Sequence, residues 1–173
     1  MKWLMIVVGI LAASILVVLA IGAILPKQHT VTRKAHYRQP PAAIWQAITD
    51  YNKFPEWRKG VERVEALPAG NGQGGWVEYV KGAGRIPLEI TESAAPQRLV
   101  VWIADPNLPF GGTWTYDIAA AANGSTLRIT ENGEVGNPLF RFVSQVVFGL
   151  RATIDQYLKD LGGRFGETTQ LEN

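Results

Sequence analysis

The sequence predicts an α+β protein in which a curved antiparallel sheet of about seven strands is wrapped on a long C-terminal helix, behind an N-terminal transmembrane helix. Three observations lead to this fold class. The chain begins with an uncharged run of 23 residues, Trp3 to Leu25. Short apolar segments separated by turn residues follow it, which is typical of an antiparallel meander. After Asn137-Pro138 the apolar residues recur at the period of a helix.

The uncharged run predicts a transmembrane anchor at residues 1–26. As a helix, 23 residues reach about 34 Å, which exceeds a hydrocarbon core of roughly 30 Å. Pro26 ends the run. A cleaved signal peptide is the alternative, with Ala20-Ile21-Gly22 as the small-residue cleavage site, but the run is longer than the apolar region of such peptides. Its length therefore favours an uncleaved, single-pass anchor.

The basic residues lie beside this anchor. Four of them follow it (Lys27, Arg33, Lys34 and Arg38), and only Lys2 precedes it. The positive-inside bias therefore favours a body facing the cytoplasm over an exported one. Residues 39–173 hold 12 basic and 15 acidic residues without a basic cluster, so we expect no nucleic acid partner. The chain has no cysteine, which excludes disulfides and thiolate chemistry.

The body begins with residues 27–38, a juxtamembrane basic segment and first strand. Pro40-Pro41 ends that strand, a short helix follows over Ala42–Ile48, and Phe54–Trp57 is a loop or a second short helix. Turn residues such as Asn71-Gly72 and Asn123-Gly124 separate the later strands. These strands are predicted at Val61–Leu67, Gly75–Val80, Ile86–Glu92, Arg98–Ala104, Thr113–Ile118 and Thr126–Glu131.

The C-terminal apolar stripe predicts a helix of about 25 residues, from Pro138 to Phe165. Asn137 is its expected N-cap, with Pro138 at the first helical position. Residues 167–173 form a polar tail. A long amphipathic helix lying across a curved sheet buries the apolar face of each.

Several motifs carry a family resemblance. Residues 41–57, Pro-Ala-Ala-Ile-Trp-Gln-Ala-Ile-Thr-Asp-Tyr-Asn-Lys-Phe-Pro-Glu-Trp, resemble the opening of the START/Bet v 1-like (SRPBCC) superfamily. Gly111-Gly-Thr-Trp-Thr-Tyr116, residues 124–134 and Asn137-Pro-Leu-Phe-Arg-Phe resemble its late hairpin and last helix. The members it most resembles are polyketide cyclase/dehydrase and lipid-transport proteins. The match covers residues 30–166 and implies a helix-grip fold with a hydrophobic cavity between sheet and helix.

The resemblance and the aromatic residues together predict a binding or transport protein for a hydrophobic small molecule or lipid. Aromatic rings spread over the strands would line a pocket for an apolar ligand. The alternative is that the same rings fill a dry core. The expected ligand-binding residues are Trp57, Leu88, Trp102, Trp114, Tyr116, Ile129, Glu131, Phe142 and Val146.

Candidates for catalysis are few. His29 lies beside the membrane segment, and His36 falls on the polar side of the first strand. Glu131 shares the inward parity of Leu127 and Ile129, so it is a candidate acid or base at the cavity mouth, unless the strand end is solvated. Glu78 and Glu89 are expected to point outward. No metal site or cofactor is indicated by any motif.

Two alternatives to a carrier therefore remain. The resemblance implies a polyketide cyclase/dehydratase-type enzyme, whose mechanism would rest on Glu131, Tyr116 or an arginine such as Arg85. A protein-interaction module, with the mildly acidic body docking a membrane partner, is the second alternative.

Overall fold

The computed structural model describes residues 1–69 and 73–173, so the predicted Asn71-Gly72 turn lies outside the described residues. The helices are α1 (Lys2–Ile24), α2 (Pro41–Thr49), α3 (Phe54–Trp57), α4 (Pro138–Phe142) and α5 (Ala152–Arg164). The strands are β1 (Gln28–Tyr37), β2 (Val61–Leu67), β3 (Gly75–Val80), β4 (Gly84–Ala94), β5 (Arg98–Ile103), β6 (Phe110–Ala121), β7 (Gly124–Val135) and β8 (Leu171–Glu172).

Within the described residues the strands form one eight-stranded antiparallel sheet, in the order β2-β3-β4-β5-β6-β7-β1-β8. Strand β1 pairs with β7 along its whole length, from Gln28 opposite Glu134 to Tyr37 opposite Ser125. The predicted α+β class and the antiparallel sheet are confirmed. The eighth strand comes from the polar tail, where Leu171 and Glu172 pair with β1.

The core lies between the concave face of the sheet and helices α2 and α5. Ile154, Leu158 and Leu161 of α5 are fully buried against it. The Tyr37 hydroxyl donates a hydrogen bond to the Leu158 carbonyl at 2.8 Å, which ties β1 to α5. The alternation of buried Val31, Ala35 and Tyr37 along β1 follows the two-residue period of a strand with one buried face.

Helix α1 is long and apolar enough to cross a membrane, a property that anchors and signal sequences share. Its side chains are exposed along nearly the whole helix, and Gly22 is its buried residue. A Cβ at Gly22 would lie 2.0 Å from the Pro138 carbonyl oxygen, so glycine permits the end of α1 to approach α4 closely.

The C-terminal helix is present, but it is not continuous over the predicted range. Asn137 caps α4 as predicted, accepting hydrogen bonds from the amides of Leu139 (2.9 Å) and Phe140 (3.2 Å). A π-helical segment follows over Val143–Phe148. Gly149 then adopts a φ of +78°, which interrupts the helical backbone before α5 begins at Ala152. The apolar stripe therefore divides between two helices.

Candidate functional site

The centre of the concave face holds a group of aromatic and charged side chains that we call the aromatic–ionic cluster. Tyr157 projects into it from α5, and its ring lies among three others. The ring centroids are 5.5 Å away for Trp57, 5.6 Å for Tyr116 and 6.0 Å for Trp114. The cluster comprises Trp57, Arg58, Trp76, Glu78, Trp114, Tyr116 and Tyr157. It is built by α3, α5 and strands β3 and β6, which meet only in the folded sheet.

An ion pair between Arg58 and Glu78 lies at one side of the cluster. Glu78 is 4% exposed, so the expectation that it points outward is wrong. It shares the parity of Trp76, and both side chains face the core; the Trp76 Nε1 donates to the Glu78 carboxylate at 2.9 Å. The Arg58 guanidinium also lies 4.8 Å from the ring centres of Phe54 and Tyr157. This charge pairing and hydrogen bonding offset the cost of burying a carboxylate.

Two buried donors of the cluster find no hydrogen-bond partner within residues 1–69 and 73–173. They are the indole Nε1 of Trp57 and the hydroxyl of Tyr157. Burial raises the pKa of Tyr157, and it raises the pKa of Tyr116 likewise. The neighbouring Tyr116 phenol acts to lower the pKa of Tyr157 but makes no hydrogen bond of good geometry with it. Both phenols therefore stay neutral, and Tyr157 keeps a proton that it can donate.

Apolar side chains beside the cluster are only partly buried. Leu88 and Ile90 of β4, together with Val64 and Val80, pack against the core while keeping part of their surface exposed. Trp114 is also half-buried. The inward side of strands β2 to β4 therefore keeps some apolar surface accessible beside Trp76 and Glu78.

A second polar feature lies at the end of the sheet nearest α1. Glu131 lies on the inward side of β7, and its Oε1 is 3.5 Å from Nε2 of His29. The two side chains are 20% and 10% exposed. Burial raises the pKa of Glu131, while His29 and Trp114 act in the opposite direction. The arrangement holds a carboxyl group with increased proton affinity beside an imidazole.

Sequence reasoning passed over His29 because it adjoins the membrane segment. The alternation of side chains along β1 does indicate its direction, because His29 lies on the same, inward side of the strand as Val31. Gly133 leaves room for the ring: a Cβ there would lie 2.4 Å from the His29 imidazole. The His29 side chain therefore packs against Gly133 of β7 and points toward Glu131.

The nine expected ligand-binding residues are distributed unevenly. Trp57, Trp114 and Tyr116 belong to the aromatic–ionic cluster, Glu131 lies at its β7 side, and Ile129 is fully buried in the core. Leu88 and Phe142 are half-buried. The expectation that Trp102 lines the site is wrong. Its side chain is 42% exposed, because Leu99 and Val101 take the inward positions of β5. The same expectation is wrong for Val146, which lies on the π-helical segment and is 54% exposed.

Two open grooves lie at the α1 end of the body. One, of about 710 Å³, runs between β1, the π-helical segment and α5. Phe148 and Leu150 provide its apolar wall, and Arg151, Asp155 and Lys159 provide charge. The other, of about 450 Å³, is bordered by His29, Gly112 and Gly133. Both grooves are open to the surface near the point where β1 leaves α1.

Comparison with known families then identifies the body. A family model described as polyketide cyclase/dehydrase and lipid transport matches residues 28–166. The chain belongs to this family. The match spans the whole sheet except β8, together with α2 to α5, and leaves α1 outside. The search of curated protein sequences finds no significant match.

Solved structures confirm the START-like fold of this family member. A START superfamily protein from Mycobacterium smegmatis aligns with a TM-score of 0.61 at 14% identity, covering 79% of this chain and 95% of that one. Protein MLL2253 from Mesorhizobium loti aligns at 0.61 and 17% identity, covering 80% and 97%. The di-domain ARO/CYC StfQ from the steffimycin biosynthetic pathway aligns at 0.63 and 14% identity, covering 80% and 52%.

Proposed function

We propose that this family member is a membrane-anchored binding or transport protein for a hydrophobic small molecule or lipid held on the concave face, between the sheet and the C-terminal helix. One observation carries the proposal: the two buried donors, Trp57 Nε1 and Tyr157 Oη, lack partners among the described residues. A buried polar group without a partner costs about 1–3 kcal/mol, so a ligand acceptor that satisfies either donor recovers that cost.

The same geometry indicates the chemistry of the ligand. The donors lie among aromatic rings, and partly exposed aliphatic side chains lie on the same face, beside Trp76 and Glu78 of the cluster. A ligand with an apolar body and one carbonyl or hydroxyl oxygen matches this surface. Its apolar body would contribute about 25 cal/mol for each Å² removed from water. The family description, which includes lipid transport, supports this class of ligand.

The anchor supplies proximity to membrane ligands in this proposal. Helix α1 has the length and composition of a membrane span, and a tether raises the effective concentration of a site against ligands in the same bilayer.

The basic residues that follow α1 favour a body on the cytoplasmic side. A thiol at Gln170→Cys would then react with an impermeant maleimide only after sealed cells are opened. Labelling of intact cells would contradict this orientation.

The binding proposal is tested with two fluorescent probes on the full chain held in amphipol. Prodan carries a ketone acceptor, whereas diphenylhexatriene is a pure hydrocarbon. We expect Trp57→Phe and Tyr157→Phe each to weaken prodan binding about 5-fold, the loss of one hydrogen bond, and to leave diphenylhexatriene binding unchanged. Trp102→Phe, on the exposed side of β5, is the matched control and should alter neither affinity. Failure of the wild-type chain to bind either probe, or unchanged prodan binding by both variants, would refute the proposal.

The pair of Glu131 and His29 favours a second candidate, a polyketide cyclase/dehydratase-type enzyme. A carboxyl with a raised pKa beside an imidazole can give or accept a proton during cyclisation or dehydration. Glu131→Gln should then lower turnover of a polyketide substrate by about 10²–10⁴-fold while leaving substrate binding intact. Glu134→Gln, an exposed change on the same strand, is the control. Turnover that survives Glu131→Gln would exclude this role.

A further inference from the structure

The folded body exposes its large apolar side chains almost entirely on one segment. Within the described part of residues 27–173, six large hydrophobic side chains are strongly exposed, and five of them belong to α4 and the π-helical segment. We call these five the apolar strip. Their exposed fractions range from 47% to 71%, and they are Leu139, Phe140, Val146, Val147 and Phe148. Large exposed apolar side chains gathered on one short segment of the chain mark an interaction site.

The segment that carries the strip is joined to the end of α1. Its one charged residue, Arg141, is 3% exposed and donates to the carbonyls of Leu25 (2.9 Å), Gly136 (2.8 Å) and Ala23 (3.4 Å). Gln145 donates to the Pro26 carbonyl at 2.9 Å. The last carbonyls of a helix lack partners within the helix, and Arg141 supplies donors to them. Arg141 and Gln145 therefore face the end of α1, and the five side chains of the apolar strip are exposed.

The contact with α1 also sets the depth of the strip. Pro138 lies against Gly22, three residues before the apolar run ends at Leu25. At 1.5 Å per residue this places the start of α4 about 4–5 Å inside the end of the span. Amphipathic segments that lie in a membrane surface bury their apolar face about 5–10 Å deep, which matches this position.

We propose that the apolar strip inserts into the interfacial layer of the same bilayer that α1 crosses. The occupant of this surface is lipid, because the strip adjoins the end of a helix that has the length, composition and exposed apolar side chains of a membrane span. Phe148 belongs both to the strip and to the wall of the 710 Å³ groove, so the groove opens at the membrane surface, with Arg151 and Lys159 at the level of lipid headgroups. The inference uses the proposed anchor and does not depend on ligand binding at Trp57 and Tyr157.

The test is made on the full chain reconstituted in phosphatidylcholine vesicles. Since the chain has no cysteine, single thiols can be labelled with an NBD fluorophore at Val147→Cys, at Ala13→Cys in the middle of α1, and at exposed Ala120→Cys on β6. We expect spin labels at carbon 5 of the lipid chains to quench the Val147 probe several-fold more than the Ala120 probe. Labels at carbon 12 should quench the Ala13 probe most.

An unquenched Val147 probe beside a quenched Ala13 probe would overturn the proposal, because α1 would then cross the bilayer without the strip. Shielding of Val147 that rises with the protein-to-lipid ratio, without lipid quenching, would assign the strip to a second copy and overturn it equally. An unquenched Ala13 probe would remove the anchor on which the inference depends. Probe binding by the Trp57 and Tyr157 variants reports the proposed function separately, so the two failures are distinguishable.

Discussion

Glu78 and Arg58 meet beneath α5, although 20 positions separate them in the chain. Glu78 is nearly inaccessible, and the Arg58 side chain is 16% exposed. Removing one member of a buried ion pair leaves the other charge without its partner, which costs far more than the pair itself contributes. The pair is therefore a position where a single isosteric change should destabilise the fold.

We expect Glu78→Gln to lower the free energy of unfolding by about 3 kcal/mol, near the lower end for buried pairs because Arg58 retains some contact with water. The amide still accepts the Trp76 hydrogen bond, so the loss reports the charge. Urea unfolding of the full chain in mild detergent, followed by tryptophan fluorescence, measures it.

The matched control is Glu65→Gln on the neighbouring strand β2. Glu65 pairs with Arg63 at the surface, where both side chains are about half exposed, and such pairs contribute less than about 1 kcal/mol. If both variants lose the same free energy of unfolding, the buried Arg58–Glu78 pair stabilises the fold no more than a surface ion pair does.

The alternation of β7 made an inward Glu131 one of two open expectations, beside a solvated strand end, whereas Glu78 was expected to point outward and does not. Glu131 follows Leu127 and Ile129, whose apolar character marks the inward side of β7. Glu78 shares its side of β3 with Trp76, and the charge of the carboxylate outweighed that signal in the sequence analysis. Only the folded chain brings Arg58 close enough to make an inward carboxylate stable.

At the scale of elements, the joint between α1 and α4 depends on Arg141. Its guanidinium donates hydrogen bonds to three carbonyls, those of Ala23 and Leu25 at the end of α1 and that of Gly136 before α4. Gly22 allows the close approach, and Arg141 provides the polar contacts across it. The orientation of the body relative to α1 should therefore depend on this side chain.

Arg141→Ala removes these donors, so we expect α1 to lose its fixed orientation on the body. Pulsed electron resonance between spin labels at Ala13→Cys and Ala120→Cys should show a distance distribution broader than in the parent chain. Arg151→Ala, which removes an exposed arginine near the start of α5, should leave the distribution unchanged. A narrow, unshifted distribution for Arg141→Ala would contradict a role for this residue in the joint.

The interruption of the C-terminal helix shows where periodicity ceases to be informative. The apolar residues continue at helical spacing through 139–165, so the stripe alone predicts one helix. A π-helical turn changes the residues per turn, and Gly149 at positive φ redirects the chain. Val146 and Val147 thereby leave the core side and join the exposed strip.

At the scale of the whole molecule, the sheet brings the two ends of the body together. Strand β1 lies between β7 and β8, so residues near 30 pair with residues near 130 and near 172. This arrangement places His29 beside Glu131 and the start of β1 beside the π-helical segment. The polar groups and grooves nearest α1 therefore gather at one end of the sheet.

The sequence by itself determined the α+β class, the antiparallel strands, the cap at Asn137 and an apolar first helix of membrane-spanning length. These depend on local period, turn residues and hydrogen bonds within a few residues, all of which are present in a single segment. Only the tertiary structure decided that Glu78 is buried with Arg58, that His29 reaches Glu131, and that α4 and the π-helical segment carry the exposed apolar strip while polar side chains of the same segments donate hydrogen bonds to the end of α1. Each of these requires side chains at least 20 residues apart to meet, and their energies come from burial and charge pairing that exist only once the sheet has closed on its helix.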